Sequence, residues 1–205
     1  TNIEISGATD LLAPAKLWQS HYRWHNDDGD EAGATWKANE DTPATIGLNQ
    51  LIRLRFAIAN KGSFISNSTA YQIEYGTATS TCASITGWLA LPYNDTLAWR
   101  MSDSPNLVDG SPSTNVAGDL TDENINFKSG YLKDTSAQTA GLTLTADEFT
   151  ELEYSIKATN LATDSNYCFR LTDNGNATAF YYAVYPLISV VGDDNIYLVG
   201  LDNNS

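Results

Sequence analysis

Basic residues are scarce in this chain: 11 Lys and Arg stand against 25 Asp and Glu, giving a formal charge of −14. Nucleic acid and anionic membranes are bound through clustered Lys and Arg, so this balance argues against both as partners. Long apolar runs are missing too. The longest candidate, residues 179–191, contains Pro186 and is strand-like, so no transmembrane segment is expected. Catalytic signatures are also lacking. Neither histidine, His21 or His25, lies near a Gly-x-Ser-x-Gly turn, and no such turn exists. The many acids offer no way to choose a pair for glycoside hydrolysis. The expectation is a protein that is not an enzyme and has no cofactor beyond a candidate calcium ion.

Cysteine is nearly absent, with only Cys82 and Cys168. In an exported β-protein the two would form a disulfide, and two unpaired thiols are the alternative. The bond would close a long loop, worth roughly 3–5 kcal/mol in the chain-entropy model.

A hydrophobic content of 42% marks a folded globular chain, and 205 residues suffice for one substantial core. Only 18% of residues are charged, so the polar surface falls to Thr, Ser, Asn and Gln, as in many exported β-proteins. The chain opens at Thr1, as a processed export product would. An extracellular or cell-surface location with the signal peptide removed is therefore expected.

Residues 151–171, ELEYSIKATNLATDSNYCFRL, organise the reading. Leu152, Tyr154, Ile156 and Ala158 alternate with Glu153, Ser155 and Lys157, and Tyr167, Phe169 and Leu171 alternate with Cys168 and Arg170. A period of two places one set on a buried face and the other toward solvent. Two strands joined by a polar loop follow. Residues 51–59, LIRLRFAIA, behave alike, with Ile52, Leu54, Phe56 and Ile58 on one face and Arg53 and Arg55 on the other. Further strands are expected at 1–6, 19–25, 34–39, 70–75, 85–91, 96–101, 142–144 and 196–201. A long strand at 180–191 carries Pro186 near its middle, which suggests an edge or a bulge. Residues 102–138 are rich in Asp, Asn, Ser, Thr and Gly, and are expected to form an ordered excursion with short strands at 125–128 and 130–133. Many short strands without helical periodicity predict an all-β fold: an immunoglobulin-like or jelly-roll-like antiparallel β-sandwich with a long polar excursion. Residues 1–15 form an N-terminal strand segment, and 16–205 a single sandwich domain.

The run RLRFAIANKG at 53–62, followed by AYQIEY, resembles the early strands of immunoglobulin-like modules in prokaryotic surface proteins. The stretch HYRWHNDDGDEAGATW at 21–36 resembles a Tyr-Arg-Trp…Asn-Asp-Gly element of exported bacterial and archaeal proteins. The resemblance implies an extracellular sandwich and no defined activity. Antibody-type domains place a Tyr two residues before the second Cys, both facing inward. Here Tyr167 and Cys168 are adjacent and face opposite ways, so a Cys82–Cys168 bond would be peripheral.

His21 and His25 lie about 13 Å apart if both are on one strand, too far to share an ion. In the acidic turn NDDGDEAG, Asp27, Asp28 and Asp30 are candidate calcium ligands, although most acidic turns are simply solvated. Trp18, Trp24, Trp36, Trp88 and Trp99 could form a sugar-binding platform, but most occupy apolar phases of strands and are expected in the core. Asn67, Asn94, Asn176 and Asn203 satisfy the N-glycosylation pattern.

The leading functional expectation is a structural subunit of an extracellular filament or surface layer that polymerises with itself head to tail. An end strand would pair with the next copy. Ile3 and Ile5 mark the first donor candidate, and Ile196 and Leu198 the second. Both ends pairing within their own sheet is the competing arrangement. The alternative function is an extracellular carbohydrate- or partner-binding module.

Overall fold

A computed structural model describes residues 14–121 and 126–192. It is an all-β protein of two mixed sheets packed face to face. The first sheet has the order β12-β1-β3-β10-β6. It is built on β1 (Leu17–Asn26), β3 (Leu51–Asn60) and β10 (Glu148–Ala158). The short β12 (Phe180–Tyr182) flanks β1, and β6 (Trp99–Met101), β7 (Asn126–Phe127) and β8 (Leu132–Lys133) share the far edge of β10. The second sheet has the order β2-β13-β11-β4-β5, from β2 (Ala44–Gly47), β13 (Leu187–Val191), β11 (Asn166–Asp173), β4 (Thr69–Thr77) and β5 (Leu89–Ala90). β9 (Gln138–Leu142) also pairs with β4.

The long central strands are antiparallel, as expected for a sandwich. Parallel pairings are added at the margins, where β12 meets β1, β7 and β8 meet β10, and β2 meets β13. The two strands of residues 151–171 do not pair with each other. β10 belongs to one sheet and β11 to the other, so the loop between them crosses the sandwich. The expected strand at 180–191 divides likewise. Its first part lies in one sheet as β12, its second in the other as β13, and Pro186 stands in the crossing. Residues 34–39 contribute a single bridge, His25 to Trp36, rather than a strand.

The core follows from the alternation. Trp24, Leu54, Phe56, Leu152 and Tyr154 from one sheet meet Tyr71, Ile73, Phe169 and Leu171 from the other. Phe169 receives Trp24 at 5.5 Å and Trp99 at 4.9 Å between ring centroids, both edge-on, an arrangement aromatic pairs favour. Polar ties cross the same interface. Gln19 is fully buried, donates to the Val184 carbonyl and accepts from the Leu171 amide, both at 2.8 Å. Tyr154 donates its hydroxyl to the Tyr71 carbonyl. These ties satisfy groups that would otherwise be buried without partners.

Cys82 and Cys168 form a disulfide. Cys168 is on the outward side of β11, and Cys82 starts a 3-10 turn, Cys82–Ser84. The bond is peripheral: it fastens the turn after β4 to the outer face of the second sheet.

Candidate functional site

One expectation from the alternation requires correction. The charged side of β3 and β10 does not face water: Arg53, Arg55, Glu151, Glu153 and Ser155 are all fully buried. The reason is the polar excursion. Residues 104–119, together with the turn at 27–40, fold over the outer face of the first sheet and form a third layer. Strand register places Arg23, Arg55 and Glu153 in one row, and His25, Arg53 and Ser155 in the next. Arg55 donates to Glu151 at 2.7 Å and to Glu153 and Glu31 at 2.9 Å. It also reaches the Thr114 carbonyl of the covering layer. Arg53 lies 3.2 Å from Glu153 and 3.6 Å from Asp27. Arg23 donates to carbonyls of Gly118 and Asp119, and its guanidinium stacks 3.4 Å above the Trp36 ring.

His25 sits in this layer between two acids, with Nε2 2.8 Å from Asp119 and Nδ1 3.3 Å from Glu153. Burial pulls its pKa down, but the hydrogen bonds and charges of Asp119 and Glu153 outweigh burial and raise it. Burial pushes the Glu153 carboxyl up, whereas His25, Arg55 and Arg53 together bring it down to about 2. Arg55 remains charged because the surrounding carboxylates offset its burial. Water has little access here, and these charged pairs join three strands to the layer that covers them. In the sequence Arg23-x-His25, Arg53-x-Arg55 and Glu151-x-Glu153 stand as i, i+2 pairs on three strands, a pattern that puts each pair on one face without telling whether that face is covered.

The accessible site lies at the other edge of β1. An open groove of about 410 Å³ is lined by Tyr22, Asp41, Pro43, Val184, Tyr185 and Leu187, and by the disulfide-anchored residues 81–83. From Tyr185 a series of half-buried rings runs to Phe180, which packs against the core. Trp88 stacks on Tyr185 at 5.9 Å, Tyr185 on Tyr182 at 5.0 Å, and Tyr182 on Phe180 at 6.0 Å, with interplanar angles of 20°, 26° and 13°. Arg170 lies 4.5 Å above Trp88 and is held in place by two donations to Glu74 Oε2, at 2.9 and 2.8 Å. Gly76 permits this layering, since a Cβ there would stand 2.6 Å from Ile85 Cγ2.

At the groove's rim, Asp41 takes the left-handed conformation (φ 53°), which Asp tolerates better than most residues. Its amide donates to the Tyr22 carbonyl and its Oδ1 accepts from the Tyr22 amide, both at 2.9 Å. His21 Nδ1 then lies 2.7 Å from Asp41 Oδ2 and 3.3 Å from Glu40 Oε1.

The two histidines thus serve separate clusters, as expected for one strand. The acidic turn uses its carboxylates differently from the calcium expectation. Asp27 accepts from Ser104 and faces Arg53, Asp28 accepts from Thr35, and Asp30 accepts from the Gly33 amide. Among the described residues, the donor atoms that converge are those of His21, Glu40 and Asp41, not those of the turn. Of the tryptophans, Trp24 and Trp99 are core, Trp18 and Trp88 are half-buried and Trp36 is exposed, so fewer lie in the core than the expectation that most would. Asn67, Asn94 and Asn176 are exposed. Ile3, Ile5, Ile196, Leu198 and Asn203 lie outside the described residues. No helix among the described residues is long and apolar enough to cross a membrane. No family model, curated protein or solved structure matches this chain.

Proposed function

We propose that the protein is an extracellular β-sandwich binding module that takes a carbohydrate in the groove beside the disulfide. The observation that carries this reading is the union of apolar ring surface and fixed polar groups in one open, concave place. Sugars offer a C–H face that stacks on an aromatic ring and hydroxyls that need donors and acceptors. Tyr185 and the adjoining Trp88 supply the ring surface, and Asp41 and Thr81 supply the polar groups. The disulfide and the Glu74–Arg170 pair hold the walls in place before a ligand arrives, which lowers the ordering cost of binding. Binding to a glycan array, lost in Tyr185→Ala and kept in Tyr93→Phe, tests it. An array without any binding contradicts it.

A second reading is self-assembly into an extracellular filament. It is supported by β2, a terminal strand of the second sheet that pairs with β13 on one edge and, among the described residues, with no strand on the other. The other long edge is less open: along β1, residues 35–41 cap the backbone of Tyr22, Trp24 and Asn26. Electron microscopy of the full chain with and without residues 1–6 tests this reading. Filaments that persist without those residues remove them as the donor.

A further inference from the structure

We infer that His21, Glu40 and Asp41 form a binding site for a divalent transition-metal ion of the zinc class. The inference rests on the identity and placement of the three donors and is independent of the carbohydrate reading. One imidazole nitrogen and two carboxylate oxygens lie within 4.8 Å of one another. This mixed nitrogen and oxygen set suits zinc, whereas calcium takes oxygen ligands alone. Bonds of about 2.0–2.1 Å at tetrahedral angles separate ligand atoms by about 3.3 Å. The His21 Nδ1 to Glu40 Oε1 distance is already 3.3 Å. The His21 Nδ1 to Asp41 Oδ2 distance of 2.7 Å needs only to widen by a small rotation of two partly exposed side chains.

Charge points the same way. In the buried layer Glu31, Asp119, Glu151 and Glu153 converge on the permanently charged Arg55, but among the described residues Glu40 and Asp41 converge on the His21 imidazole and pair with no Lys or Arg. A divalent cation held by a neutral imidazole would offset both carboxylates. Both carboxylates are already oriented by groups that are not ligands. Glu40 Oε2 accepts from the Thr121 hydroxyl and Oε1, the oxygen facing His21, from the Thr121 amide, each at 2.7 Å, and Asp41 Oδ1 accepts from the Tyr22 amide. Such supporting bonds hold ligands in place around a metal. Three protein ligands leave a fourth position for water or an incoming group, and one of the three, Asp41, also borders the groove.

The test is titration of the chelator-treated full chain with Zn²⁺ by calorimetry, with Ca²⁺ as competitor. One ion per chain is expected, undisturbed by Ca²⁺. His21→Gln and Glu40→Gln should each weaken binding at least about tenfold, and Asp28→Asn should leave it unchanged. The wild-type chain gives a readout that requires no variant to fold: with only two histidines, Co²⁺ should shift the ring resonances of His21 far more than those of His25. Absence of Zn²⁺ binding, unaltered binding in both ligand variants, or equal shifts at both histidines would overturn the inference.

Discussion

His25 Nε2 meets Asp119 Oδ1 at 2.8 Å with both side chains almost completely removed from solvent. One residue belongs to β1 and the other to the polar excursion, so this contact joins the covering layer to the sandwich. It also makes that union depend on pH. His25 has its pKa raised above 6.5 in the folded protein. Its contribution to stability is complete below pH 6.5 and is lost as pH rises through the folded value. Glu153 has the opposite dependence. Its carboxyl is lowered from 4.5 to about 2, so its contribution is present above pH 4.5 and is lost as pH falls toward 2. For these two groups, stability should be greatest between about pH 4.5 and 6.5. Urea unfolding across pH should show both slopes, and His25→Gln should remove the alkaline one.

Arg55 is the hub of the buried layer, within ion-pair distance of Glu31, Asp119, Glu151 and Glu153. Arg55→Met leaves those carboxylates facing one another out of water. The expected loss is about 3–5 kcal/mol in denaturant unfolding. Arg100 pairs with Asp95 at the exposed rim, and Asp95→Asn should cost under about 1 kcal/mol. Similar costs for the two would mean that the layer is hydrated in solution.

Replacing Cys82 and Cys168 with Ser releases a cross-link between residues 86 apart in sequence. Stability should fall by roughly 2–5 kcal/mol in thermal or denaturant unfolding. Because residues 81–83 also line the groove, any ligand that binds there should be held more weakly by this variant even where it is fully folded.

Trp24→Ala and Trp36→Ala separate two roles of the same residue type. Trp24 is fully buried against Phe169 and donates to the Leu187 carbonyl, so its loss should cost about 3–5 kcal/mol. Trp36 is half exposed and caps Arg23, so its loss should cost about 0.5–1 kcal/mol, the worth of a cation–π contact at an exposed site. Melting curves of the two variants decide it.

The long strands were legible because their apolar residues recur at every second position; β1, β3, β4, β10 and β11 all lie where that period places them. The disulfide, too, was one of two arrangements open to the cysteines. The third layer was not legible. Residues 104–119 are held by groups such as Ser113 Oγ on the Glu151 carbonyl and Asp109 on Lys133, which leave no periodic trace in a sequence. Without that layer, Arg53, Arg55, Glu151 and Glu153 read as solvated. The groove was hidden for a related reason. Its walls come from β1, residues 41–43, residues 81–83 and residues 184–187, which only the folded topology brings together. His21, Glu40 and Asp41 meet because the left-handed backbone at Asp41 turns its carboxylate back toward β1, a local event no spacing reveals.

The central claim is that the groove beside the disulfide receives a carbohydrate, and amide chemical-shift mapping of the labelled full chain against a panel of soluble oligosaccharides tests it most directly. The expected result is saturable shifts confined to Asp41, residues 81–83, Trp88 and residues 184–187, with the rest of both sheets unmoved. Saturable shifts that cluster elsewhere, or none with any sugar in the panel, would contradict it.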